Sequence, residues 1–277
     1  MRLSIVSPQE VNECPRAANE VPLAPGQVHI WWTGLRVEGA ALCACWDSLP
    51  ADEARQASNY RFAKDCREFV VRRAVLRQVL ARYSGRRAAE LLFDFRAGGK
   101  PVLRNAEGLH FSMSQASDLA VLAIARNPVG IDLEHVQKDL FGQTLFGEVL
   151  IEQCLSHRER CYVRALPAEQ RNQALYRCWT RKEAVLKALG TGLLYPPQQV
   201  NVIAGTKRTC VIRLFSRDWL IRQVAAPRGY AAAMAIEEPH CRIACRSRKF
   251  PVNTFFGRRS IRDSARMATI LEPQQIA

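Results

Sequence analysis

Two short stretches carry residue types that could do chemistry together. The first is Trp179-Thr-Arg-Lys-Glu-Ala-Val-Leu-Lys187, in which Trp179, Lys182, Glu183, Leu186 and Lys187 fall at i, i+3, i+4, i+7 and i+8. On a helix these positions share a face. One carboxylate would then stand between two ammonium groups, where an ordinary buried stripe is apolar. The same composition also suits a solvated face with local Lys–Glu pairs, each contributing about a few tenths of a kcal/mol.

The second stretch is Pro128-Val-Gly-Ile-Asp-Leu-Glu-His135. After the apolar run Leu119 to Ala125, a turn at Asn127-Pro128 leads into a second short strand over Val129 to Leu133. Side chains alternate along a strand, so Asp132 and Glu134 project from one side of it. These two carboxylates, with Glu183 as a third from a helix, form an oxygen-rich set for a hard divalent cation such as Mg²⁺. Mg²⁺ completes its shell with water and phosphate oxygens, so the set suits a phosphorylated substrate, with Lys182 and Lys187 as counter-charges.

Other elements must hold these stretches in place. The helix around Glu183 is built of Glu, Ala, Leu and Lys and stops at Gly190 and Gly192. Val28 to Trp46 alternates and predicts two short strands. Asp52 to Tyr83 predicts a helix ending near Gly85, with Phe69, Val70, Leu76, Val79 and Leu80 toward a core. Its arginines, Arg61, Arg67, Arg72, Arg73 and Arg77, are left for another surface. Gly98-Gly-Lys-Pro101 predicts a turn that exposes Lys100. Leu109 to Ala125 predicts strand, polar turn and strand, with Ser114 to Asp118 as a turn whose donors could hold a phosphate.

Further on, Phe141 to Val149 is expected to be a loop or short helix and Glu148 to Arg164 a helix. Val200 to Phe215, Trp219 to Val224 and Gly229 to Ile236 predict late strands. Arg73-Ala-Val-Leu-Arg77 and Glu183-Ala-Val-Leu-Lys187 match across the chain, a faint internal repeat that suggests two similar halves.

At 277 residues the chain has room for one large domain or two smaller ones. No run is long enough to cross a membrane, and the first residues lack the pattern of a secretory signal, so a cytoplasmic location is expected. The ten cysteines form no paired Cys-x-x-Cys units and are expected as reduced, mostly buried thiols. The formal charge of +14 implies an anionic partner: nucleic acid, a phosphorylated ligand or an acidic protein. Residues 237–277 are Arg-rich without periodicity and are expected to form a mobile basic tail.

Gly130-Ile-Asp-Leu-Glu134, followed some forty-five residues later by Trp179 to Lys187, resembles the paired motif of the 4′-phosphopantetheinyl transferases, in their larger, surfactin-type monomeric subgroup. Leu49-Pro-Ala-Asp-Glu-Ala-Arg55, Tyr60-Arg-Phe62, Gly99-Lys-Pro101 and Phe111-Ser-Met-Ser-Gln-Ala116 extend the resemblance over about residues 28 to 236. It implies an α+β fold of two similar α/β halves with pseudo-twofold symmetry. The expected division is an N-terminal extension (1–27), an N-terminal half (28–127), a C-terminal half with the metal site (128–236) and the basic tail (237–277).

The resemblance also implies an activity: transfer of 4′-phosphopantetheine from coenzyme A to a serine of an acidic acyl or peptidyl carrier protein, in secondary metabolism. It implies Mg²⁺ on Asp132, Glu134 and Glu183, with Glu183 as base and Lys187 on the leaving phosphate. Lys182 would assist, Arg61, Arg67 and Arg73 would face the coenzyme A phosphates, and Lys100, Ser114 and Gln115 would lie at its 3′-phosphate. Glu159, in Ser156-His-Arg-Glu159, is a candidate to support the site, and Trp179 is expected as core packing.

Gln115 and Ala116 stand where the family usually has His and Ser. A neutral amide in place of an imidazolium weakens a phosphate grip by about 1 kcal/mol. That departure also fits a member with reduced or lost activity, and the charge fits a nucleic-acid-associated protein as an alternative.

Overall fold

The computed structural model describes residues 21–137, 151–203, 207–237 and 244–256. They fall into two compact units: one holds Trp31–Ala89 with the described residues from 247 onward, the other Leu23–Ile30 and Glu90–Arg246. The chain is thus a mixed α+β protein. The units divide it differently from the expected halves 28–127 and 128–236.

The first unit is mainly helical: α1 (Gly39–Asp47), α2 (Ala51–Ser58) and α3 (Ala63–Ser84). Only one strand, β1 (Gln27–Gly34), occupies the stretch where two were expected. The second became α1 because Gly-Ala-Ala-Leu-Cys-Ala-Cys is rich in alanine, the strongest helix former. The long expected helix is broken at residues 59–62 into α2 and α3, and α3 ends on Gly85 at φ 65, a left-handed cap that suits glycine. Phe69, Val70, Leu76, Val79 and Leu80 are all buried, and the Trp31 indole N–H donates to the Tyr83 hydroxyl at 2.9 Å.

The expected basic tail is in part folded. Ala244–Lys249 is strand β10 and Val252–Phe256 a short helix, α6, with Phe250 and Phe256 buried. The Arg82 guanidinium stacks over the Trp31, Phe250 and Phe255 rings. The aromatic residues Phe250, Phe255 and Phe256 anchor this segment in the first unit. Residues 257–277 and 1–20 lie outside the described residues.

In the second unit, β2 (Phe93–Phe95) and β3 (Pro101–Leu103) form a hairpin, as do β4 (His110–Ala116) and β5 (Leu119–Ala125). The adjoining parts of β1 and β10 extend the latter into a sheet of order β10-β1-β5-β4. The turn between β4 and β5 is only Ser117-Asp118, with Ser117 at φ 50, so Ser114, Gln115 and Ala116 are strand residues rather than a phosphate-holding turn. A second antiparallel sheet has the order β6-β9-β8-β7, from Val129–His135, Tyr230–Glu237, Arg217–Val224 and Thr209–Leu214. Val200 to Ile203 is not strand, and residues 138–150 are outside the described residues.

Two longer helices pack in this unit, α4 (His157–Ala165) and the 22-residue α5 (Ala168–Leu189). Residues 151–154 are helical within the expected span, and the helix is interrupted at Leu155-Ser156, where Ser156 caps α4 in a capping box with Glu159. Helix α5 ends on Gly190 at φ 78. Its Leu175, Val185 and Leu186 join Trp219, Ile221, Ala233 and Ala235 in one core. The alanine run of β9 and Gly130 of β6 let this helix lie close on the sheet.

Candidate active site

Strand β6 buries Ile131 and Leu133 and turns Gly130, Asp132 and Glu134 to the alternate side. Gly130 lies directly beneath α5: a Cβ there would stand 2.4 Å from the Ala188 nitrogen. The close approach brings Lys187, in the last turn of α5, onto Asp132. Its Nζ donates to Asp132 Oδ1 at 2.6 Å and to Ser114 Oγ at 2.9 Å, and Ser114 donates in turn to Asp132 Oδ1 at 3.0 Å. Ser112, two residues before Ser114 on β4, accepts from the backbone N–H of Ile131 at 3.1 Å. Two serines of one strand face therefore tie β4 to β6 at the carboxylate.

Asp132 is buried, and its Oδ2 is buried with no hydrogen-bond partner in the structure. An unpaired carboxylate oxygen is costly unless something is to bind there. Burial, then Asp132 and Glu134, push the Glu183 carboxyl up to about 7, against the opposing pull of Lys187. Burial and Asp132 likewise raise the Glu134 carboxyl, while the Trp179 indole and Lys187 pull it down. Asp132, Glu134 and Glu183 therefore sense one another electrostatically.

Among the described residues, no three His, Cys, Asp or Glu side chains are arranged as a ready cation cage. The donors nonetheless fit a hard cation in kind: an orphaned oxygen on the buried Asp132, the half-buried Glu134 and Glu183, whose carboxyls burial and then Asp132 raise, and one ammonium. Lys187 already occupies the other Asp132 oxygen. With side-chain exposure of 29%, Lys187 can also meet a ligand.

Trp179, expected only as packing, does more. It packs partly against the core and donates its indole N–H to Glu134 Oε1 at 3.0 Å. The signal lay in its spacing: Trp179 is one turn before Glu183 on the same face of α5.

Lys182 does not share that face in effect. Its side chain is fully buried, paired with Glu159 Oε2 at 2.6 Å, and its Nζ donates to the carbonyls of Pro197 and Val200. Burial lowers its pKa, against the pull of Glu159. An ammonium so enclosed has no surface for a coenzyme or a phosphate. Glu159 also accepts from the Val202 N–H at 2.8 Å, so the pair ties α4, α5 and the 197–202 segment together. Adjacent residues of a helix point about 100° apart, and here Lys182 and Glu183 face different surroundings.

Lys100 is half-buried rather than displayed on its turn. Its Nζ donates to the carbonyls of Val129 (2.8 Å) and Ala188 (3.3 Å). Gln115 is half-buried opposite Ala120 on the β4–β5 ladder. In the first unit, Arg73 and Arg77 both donate to the buried Glu53 carboxylate. Burial alone would raise that carboxyl, but bonds from the two guanidiniums hold it below the ordinary range. Arg73 is thus committed to an ion triad, while Arg61 lies exposed over Phe62 and Arg67 is half-buried.

Comparison with known proteins bears on the whole of this frame. A family model described as the 4′-phosphopantetheinyl transferase superfamily matches residues 128–235, and one described as 4′-phosphopantetheinyl transferase, N-terminal, matches residues 32–127. The chain is 35% identical over 185 residues to 4′-phosphopantetheinyl transferase HetI of Nostoc sp., covering 65% of this chain and 75% of that protein. It is 26% identical to 4′-phosphopantetheinyl transferase psf-1 of Bacillus pumilus, over 67% of this chain and 81% of the relative. With 4′-phosphopantetheinyl transferase Sfp of Bacillus subtilis the identity is 20%, over 56% of this chain and 66% of the relative. The chain therefore belongs to the 4′-phosphopantetheinyl transferase superfamily.

Proposed function

We propose that this protein transfers the 4′-phosphopantetheine arm of coenzyme A to a serine hydroxyl of an acyl or peptidyl carrier protein. The observation that carries this reading is the pairing of Lys187 with Asp132 beside Glu183, within a chain whose relatives bear the transferase name. The serine oxygen forms a bond to the β-phosphorus as the bond from that phosphorus to the bridging oxygen breaks, releasing adenosine 3′,5′-bisphosphate. The serine proton must leave at the same time.

We assign Glu183 to accept the serine proton: burial and its neighbouring carboxylates raise it to about 7 without a cation, and a bound cation would lower it. We assign Lys187, partly exposed beside Asp132, to stabilise the charge that develops on the leaving phosphate. A divalent cation such as Mg²⁺, on Asp132, Glu134 and Glu183, would supply neutralisation of the diphosphate charge. Trp179 holds Glu134, and Ser114 holds Asp132, in place for that role.

Arg61 and Arg67 are the arginines we assign to the coenzyme A phosphates, on the family resemblance. Lys182 and Arg73 are left out of that assignment because Glu159 and Glu53 hold them. We further infer a cytoplasmic monomer that serves acidic carrier proteins of secondary metabolism, its excess of positive charge speeding their encounter. No helix among the described residues is long and apolar enough to cross a membrane.

Mass spectrometry of an apo carrier protein incubated with coenzyme A, Mg²⁺ and this protein tests the reading. The carrier should gain one phosphopantetheine, and the gain should vanish on chelation of the metal and in Asp132→Asn. An unmodified carrier across fatty-acid, polyketide and peptide types would overturn it.

A further inference from the structure

The hairpin of β2 and β3 is spent on the end of one helix. Its Lys100 Nζ donates to the carbonyl of Ala188, the next-to-last residue of α5, and to that of Val129, the first residue of β6. Arg96 of the same hairpin donates to the carbonyl of Leu189, the last residue of α5, at 3.4 Å. Between them Gly98 is pressed on the helix terminus: a Cβ there would lie 2.4 Å from the Gly190 oxygen and from the Thr191 carbonyl carbon. The last turn of a helix leaves its carbonyls without intrahelical donors, and cations are favoured there. In this helix Gly190 N–H takes the Leu186 carbonyl, and the hairpin supplies donors for the last two.

We propose that Lys100 is a positioning residue, bridging the C-terminal end of α5 to the start of β6 so that Glu183 and Lys187 on the helix stay in register with Asp132 on the strand. One side chain fastens both elements that build the site. Ala188 follows Lys187 directly, and Val129 lies three residues before Asp132 on the same strand. A loss of the bridge would let the helix end slide along the strand at the point where Lys187 meets Asp132. Burial, then Arg96, lower the Lys100 ammonium to about 7, in keeping with an amine buried for its donors rather than displayed for a ligand. The family resemblance instead implies that Lys100 grips the 3′-phosphate of coenzyme A.

The proposal deepens the transferase reading and rests on it, and one set of kinetics separates the two. Wild type and Lys100→Met are compared on coenzyme A and on 3′-dephospho-coenzyme A, with an apo carrier as acceptor. Positioning predicts a kcat lowered by about ten- to a hundredfold. The KM for coenzyme A should stay within about twofold and the preference for the 3′-phosphate should persist. A raised KM with loss of that preference would overturn the proposal in favour of a phosphate contact, while an inactive wild type would instead sink the transferase reading.

Amide hydrogen exchange supplies a readout that needs no turnover. In Lys100→Met the N–H groups of Lys187 to Gly190 should lose protection by about tenfold or more; unchanged protection there would overturn the bridge. Should Lys100→Met fail to fold, Arg96→Met, at an exposed position, takes its place. It should loosen the same amides and lower kcat by about two- to threefold with the 3′-phosphate preference intact, and unaltered exchange would again count against the proposal.

Discussion

Gly130 and Ala184 approach so closely that a Cβ built on the glycine would sit 2.0 Å from the alanine's carbonyl oxygen. Both groups are backbone or bonded directly to it, so no side chain can swing aside. In Gly130→Ala, strand β6 and helix α5 must separate, at an overpacking cost of about 1–3 kcal/mol. The same movement draws Lys187 from Asp132, so activity should fall further than the lost stability explains. Urea denaturation and transfer kinetics of the variant under native conditions check this; a variant as stable and as fast as wild type would refute it.

The Lys182–Glu159 pair should behave as interior structure. Removing one partner leaves the other charge buried without compensation, and Glu159→Leu or Lys182→Met alone should each cost about 3–5 kcal/mol. The double variant, which removes both charges, should recover a large part of that loss. The KM for coenzyme A of whatever folds should stay put, whereas a ligand contact by Lys182 would raise it several-fold. Denaturation curves for the four proteins of the cycle decide between the two.

The residues that could do this chemistry were legible because their spacing is local. Asp132 and Glu134 had to share a strand side, and Glu183 and Lys187 a helical turn. What the spacing could not reveal is which way a side chain leaves its helix once tertiary neighbours are present. Lys182 and Glu183 are adjacent in sequence yet serve different surroundings, because Glu159 arrives from α4, across twenty-three positions of chain. Lys100 reads as a displayed turn residue because its acceptors, Val129 and Ala188, are distant in sequence. In the sequence the segment after residue 237 is marked by its arginines. Phe250 and Phe256, too few to make a periodic pattern, are what bury it. The match between Arg73-Ala-Val-Leu-Arg77 and Glu183-Ala-Val-Leu-Lys187 sits at different depths of two helices of equal length, with Lys187 in its last turn and Arg77 two turns from Gly85.

The hydrogen bond from Trp179 to Glu134 predicts a metal effect from an indole. Trp179→Phe keeps most of the packing and deletes the N–H donor, leaving a carboxyl already raised by burial and Asp132 to rise further. A group that holds on to its proton is a poorer cation ligand. The apparent affinity for Mg²⁺ should fall by about tenfold, as for other groups that orient a ligand, with little change in circular dichroism. A Mg²⁺ titration of transfer activity that overlays that of wild type would remove Trp179 from the site.

The depressed Lys100 ammonium has a signature in stability against pH. Its ordinary value of 10.5 applies to the unfolded chain, and the folded value is about 7. Below about 7 both states carry the proton, and Lys100 adds no slope. Between there and about 10.5 the unfolded chain binds a proton that the native protein does not, so native stability rises with pH across that window. Lys100→Met deletes this rise. The stability of wild type minus that of the variant should therefore grow from about pH 6 to about pH 9, by an amount of order a few kcal/mol. The measurement is urea unfolding at matched ionic strength across that range, without Mg²⁺ so that the carboxylates bind no added ion. A difference that stays level would mean that the Lys100 amine keeps its ordinary proton affinity, and hence that it is far more open to water than its contacts with Val129 and Ala188 describe.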